Sequence, residues 1–87
     1  MLDEYLGQKV VLDLSSPFVC LGTLRQADEA FLVLHDADLH DLRDTETTRE
    51  NYVIASLTTG IKRNRKKVLV RRPEVVAVTR LKDVVDE

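Results

Sequence analysis

The chain has 87 residues, 44% hydrophobic and 32% charged, a length that holds one small core and excludes a multidomain enzyme. Thirteen bases against 15 acids leave a net charge of −2, so no overall cationic field draws it to nucleic acid or an anionic membrane. No stretch approaches the roughly 18 apolar residues of a membrane span, the start Met1-Leu2-Asp3-Glu4 is acidic where a secretory signal is basic, and the lone cysteine, Cys20, has no internal partner. The expectation is a single cytoplasmic domain over 1–87 with no membrane contact and no cofactor. With 5% aromatic residues and no Trp, its thin aliphatic core favours burial against further copies of itself.

Leu2, Tyr5 and Leu6 at i, i+3 and i+4 predict a short N-terminal helix closed by Gly7. Val10, Leu12 and Leu14 alternate with Val11 and Asp13, a half-buried first strand ended by Ser15-Ser16-Pro17. Phe18 to Arg25 alternates again, with Gly22 marking a bend in a second strand. Ala27 to Ala30 is a turn, and Phe31-Leu32-Val33-Leu34-His35 a buried third strand. An extended connection over 38–66 follows. Within it Thr47-Thr48-Arg49-Glu50 fits a capping box that opens a helix over 48–59, with Tyr52, Val53, Ile54 and Leu57 as its apolar stripe and Gly60 as its stop. Val68-Leu69-Val70 gives a fourth strand, Arg72-Pro73-Glu74 a break, and Val75 to Thr79 a fifth. Residues 82–87 are an acidic tail, frayed from Asp83 onward. The fold class is mainly β: a small, strongly bent, five-stranded antiparallel open barrel with two helical additions.

Charge is sorted along the chain. Asp28, Glu29, Asp36, Asp38, Asp41, Asp44, Glu46 and Glu50 face only Arg43 and Arg49, whereas Lys62, Arg63, Arg65, Lys66, Lys67, Arg71 and Arg72 form a run without an acid. The basic run can meet phosphates, or both runs can be solvated faces. Phe31 has two readings on so aliphatic a sheet, a core side chain or one that stacks on a base. His35 and His40 among their aspartates match no metal-ligand spacing, and Cys20 falls among core residues with no local base, so no metal site is expected. Ser15 and Ser16 lack the context of a nucleophile, and with no catalytic constellation an enzyme is not expected.

The run Leu6-Gly7-Gln8-Lys9-Val10-Val11-Leu12-Asp13-Leu14, then Gly22-Thr23-Leu24, Ala27-Asp28 and Asp36-Ala37, resembles the first half of the Sm-like (Sm/LSm) fold. Val68-Leu69-Val70-Arg71 followed by Val75-Val76-Ala77-Val78 is similar to that family's second motif. The resemblance implies a homo-oligomeric ring in which strand four of one copy pairs with strand five of the next, and single-stranded RNA at a central opening. It places the family's base-reading asparagine at Leu32 or in a one-residue gap, its arginine at Arg71 and its stacking side chain at Ala30; Arg72 replaces a glycine, and Asp28 keeps a loop-shaping aspartate. Leucine has no paired donor and acceptor for a base edge, so base specificity is expected to be weak. The residues expected to meet RNA are Arg71, Arg72, Lys66, Lys67 and Phe31. The alternative is a protein-interaction or scaffold module of the same fold that has lost RNA binding, a reading that Leu32, Arg72, Glu74 and the net acidity support.

Overall fold

The structure is a computed structural model and describes residues 1–86. A 3-10 turn at Leu2–Tyr5 leads into β1 (Lys9–Leu14), β2 (Phe18–Ala27) and β3 (Phe31–Asp41); α1 (Arg49–Thr59) separates β3 from β4 (Arg65–Arg71), and β5 (Val75–Arg80) follows a 3-10 turn at Arg72–Glu74. The strands form one five-stranded antiparallel sheet in the order β4-β3-β2-β1-β5, the bent open sheet expected. The N-terminal segment is a single 3-10 turn, too short for an α-helix, and presses Tyr5 against the core.

Strand alternation divides the apolar residues between two faces. Val10, Leu12, Cys20, Leu24, Leu32, Leu34, Ala37 and Val70 make the inner core. Val11, Val19 and Leu21 face outward and are buried by Val53 of α1 and by Leu81. β1 and β2 are therefore covered on both faces, which explains why Val10-Val11-Leu12 is continuously apolar and each side chain is worth roughly 1.5–3 kcal/mol on burial. The bend in β2 falls at Gly22, where the register with β3 shifts between Leu21 and Thr23. A Cβ there would lie 2.9 Å from the Ala37 Cβ, so the bend needs a residue without one.

Three local expectations change. β3 continues six residues past His35 to Asp41, because Phe18 to Leu21 of β2 need hydrogen-bonding partners and take Asp41 to Asp38. The left-handed Asp36, at φ 50°, bends the strand and lets Ala37 turn into the core despite the acidic sequence. β4 likewise starts at Arg65, paired with Ala37. The cap of α1 is Thr48, whose Oγ1 accepts from the Asn51 N–H at 3.2 Å, one residue later than the capping box with Thr47 required. The expected stripe of α1 is kept in part: Val53 is buried and Tyr52 and Ile54 are half-buried, but Ser56 is buried as well and Leu57 is 40% exposed. On the same helix Tyr52 stacks on His40 of β3 with ring centroids 4.1 Å apart and planes at 12°. Past β5, Leu81 is buried and Val84 packs beside it, so the chain stays anchored beyond Asp83, while Glu87 of the expected tail lies outside the described residues. No helix among the described residues is long and apolar enough to cross a membrane.

Candidate nucleic-acid interface

The turn from β2 into β3 is organised by one carboxylate. Asp28 Oδ1 accepts from the N–H groups of Ala30 at 2.8 Å and Phe31 at 2.7 Å, and the Asp28 N–H donates to the Phe31 carbonyl at 2.9 Å. These two backbone donors, with the charge of Arg72 adding to them, hold the Asp28 carboxyl below the usual carboxylate range. Arg72 clasps the same turn from the other side: its N–H donates to the Ala30 carbonyl at 2.8 Å and its guanidinium to the Asp28 carbonyl. The end of β4 is thereby fixed against the start of β3.

Register then decides what stands beside Arg71. Its cross-strand partner is Phe31, while Leu32 pairs with Val70 and is only 1% exposed in the inner core. Leu32 is thus turned away from the face that carries Phe31 and Arg71. Phe31 is half-buried and belongs to neither core cluster, and the exposed Arg71 side chain has no hydrogen-bond or ion-pair partner among the described residues. An aromatic side chain and an unpaired arginine at paired positions of two strands offer a base a stacking surface and a phosphate a charge. The structure therefore brings Asp28, Phe31, Arg71 and Arg72 together.

The two lysines separate. Lys67, opposite His35, shares the outer face of β4 with Leu69 and Arg71, four residues or about 13 Å from Arg71. Lys66 lies on the inner side in line with Val68 and Val70, beyond the end of the core. Of the remaining basic residues, Arg63 is paired with Asp36, and the Arg65 guanidinium donates to the Asn64 carbonyl at 3.1 Å. Sequence reasoning named Glu74 but missed its link to Ser15: its Oε1 accepts from the Ser15 hydroxyl at 3.1 Å and its carbonyl from the Ser15 N–H at 2.8 Å, tying the turn before β5 to the end of β1. Nothing in the local pattern signals a pair 59 residues apart.

The groups weighed for other chemistry are dispersed. Burial, with the Asp38 charge adding to it, pushes the Cys20 thiol up to about 12. Desolvation pushes Asp38 up as well, and its Oδ1 accepts from Asn64 Nδ2 at 3.1 Å. His35 faces Lys67 and His40 is stacked on Tyr52. Among the described residues no three His, Cys, Asp or Glu side chains are grouped to hold a metal ion.

No protein-family model matches the sequence, and no curated protein matches it. A solved Sm protein of Pyrococcus abyssii, in complex with a uridine heptamer, superposes with a TM-score of 0.63 at 20% identity, over 91% of this chain and 90% of that one. The strand order, the bent sheet and this superposition together show that the chain has an Sm-like fold.

Proposed function

We propose that this chain binds single-stranded RNA as a cytoplasmic homo-oligomeric ring, through a rim built from Arg71, Arg72 and Phe31 with Lys66 and Lys67 guiding the backbone. The observation that carries the reading is the pairing of Phe31 with an unpartnered Arg71 on a turn clasped by Asp28 and Arg72, in a fold shared with a protein solved with a uridine heptamer. Arg72 keeps its guanidinium on the Asp28 carbonyl and shapes the rim, whereas Arg71 has no ion-pair partner among the described residues. Leu32 lies in the core, so affinity is mostly electrostatic and base preference weak.

The ring reading rests on the sheet's two edges. β4 and β5 each have one strand neighbour, and β5 leaves Val76 71% exposed, an edge that pairing with β4 of the next copy covers. Roughly five to seven copies close such a ring. Light scattering is expected to give a multiple of the chain mass; a monodisperse monomer at tens of micromolar refutes the ring. A fluorescent oligouridylate at low salt is expected to bind the wild type, and Arg71→Ala combined with Arg72→Ala to lose most of that binding while keeping the wild-type mass. If the native protein binds no RNA, or the double variant binds equally well, the protein-interaction reading of the same fold replaces this one.

A further inference from the structure

The outer face of the sheet is divided in two. α1 covers the β1–β2 half through Val53 on Val11, Val19 and Leu21. Apart from His40, on which Tyr52 stacks, the β3–β4 half has no such cover among the described residues. There three cross-strand pairs follow one another on the same face: Phe31 with Arg71, Val33 with Leu69, and His35 with Lys67. Leu69 is 50% exposed, Phe31 belongs to neither core, and Arg71 and Lys67 have no ion-pair partner among the described residues. None of the six is an acid, and the adjacent Asp36 is taken by Arg63. The result is a strip with the aliphatic pair Val33 and Leu69 at its middle and a ring beside a cation's position at either end.

We infer that this strip is a second part of the nucleic-acid surface, along which single-stranded RNA runs outward from the rim over the outer face of β3 and β4. The inference rests on the proposed RNA-binding reading and extends it to Val33, His35 and Leu69, which lie away from the rim. Side chains on one face of an antiparallel strand recur every ~6.8 Å, about twice the 3.4 Å rise of stacked bases. A fully stacked strand therefore offers only every second base to the strip, while an extended strand sets one base on each pair. Phe31 and His35 supply ring faces at the two ends, and Leu69 with Val33 supplies an apolar step between them. Arg71 and Lys67 stand where the phosphates of the same extended strand pass. The charges favour a polyanion, and the ring faces favour one with bases.

The test separates this strip from the rim. Fluorescence anisotropy is measured with uridine oligomers of about 4 and about 12 nucleotides on the full chain and on His35→Ala combined with Leu69→Ser. The combined variant is expected to bind the longer oligomer at least about fivefold more weakly than the wild type and the shorter one equally well, since loss of one stacked base has at least that effect. Leu69→Phe, which adds a ring at an exposed position, is expected to tighten the longer oligomer. Equal affinity of the wild type and the combined variant for the longer oligomer overturns the strip and leaves the rim standing. Failure of the wild type to bind either oligomer overturns both. An oligoglutamate that displaces the longer oligomer as well as unlabelled RNA does shows a surface for any polyanion, and overturns the assignment to RNA.

Discussion

Gly22→Ala probes the bend that turns a flat sheet into an open barrel. A Cβ at this position would lie 2.9 Å from the Ala37 Cβ and 3.1 Å from both the Ala37 Cα and the His35 carbonyl oxygen. Carbon atoms in contact sit at about 3.5–4.0 Å, so β2 and β3 must separate by roughly half an ångström where their register already shifts. Ala37 is fully buried, which leaves the new methyl no solvent to move into. Overpacking of this kind costs about 1–3 kcal/mol, and at ~2 kcal/mol a domain of this size melts about 8–16 °C lower. Calorimetry at a fixed protomer concentration gives the shift, since assembly makes the melting temperature depend on concentration. Adding Ala37→Gly removes the nearest contact but leaves the two backbone contacts, so the double variant is expected to recover part of the loss beyond the cost of Ala37→Gly alone. A Gly22→Ala protein that melts within about 2 °C of the wild type refutes the close-approach argument.

Val53→Ala deletes two methyl groups from the face of α1 that covers β1 and β2 and is expected to cost about 1.5 kcal/mol in denaturant unfolding, whereas Leu57→Ala, on a residue 40% exposed, is expected to change stability by less than about 0.5 kcal/mol. Thr48→Ala removes the hydroxyl that accepts from the Asn51 N–H and is expected to cost about 1 kcal/mol in the same assay. Desolvation raises the Asp38 carboxyl, so this group favours the fold when protonated, and that contribution is lost as pH rises through its folded pKa. Asp38→Asn keeps an acceptor for Asn64 and is expected to melt above the wild type at pH 7, with the difference vanishing below the unfolded carboxylate pKa of about 3.9. A variant that melts lower at pH 7 contradicts that assignment.

The strands were legible where local alternation and burial agree. Val10, Leu12 and Leu14, the bend at Gly22 and the break at Pro73 all lie where the sequence places them. The extension of β3 was not legible, because Asp36, Asp38 and Asp41 carry a loop's composition; Asp38 and Asp41 pair with Leu21 and Phe18 of β2, and Asp36 sits unpaired at the bend. The face of α1 was legible in part: Val53 is buried and Tyr52 and Ile54 half-buried as the stripe requires, whereas Leu57 is exposed, and no periodicity within the helix encodes the stack of Tyr52 on His40. At the candidate site the residue types were legible but their neighbours were not. The resemblance puts Leu32 or a gap at the asparagine position, whereas strand register turns Leu32 inward and sets Phe31 beside Arg71. Arg71 and Arg72 look equivalent in sequence and differ in the fold, because only Arg72 reaches the turn that Asp28 organises.

The central claim is that Arg71 meets phosphates of single-stranded RNA at the rim, and the salt dependence of binding tests it most directly. Dissociation constants for an oligouridylate are measured over a series of salt concentrations for the wild type and for Arg71→Ala. Affinity of the wild type is expected to fall linearly on logarithmic axes, with a slope near −0.7 for each phosphate contact. Arg71→Ala is expected to bind more weakly at low salt and to give a shallower line, by about 0.7 for each contact that Arg71 supplies. A wild-type affinity indifferent to salt, or an Arg71→Ala line that coincides with the wild-type line, contradicts the claim.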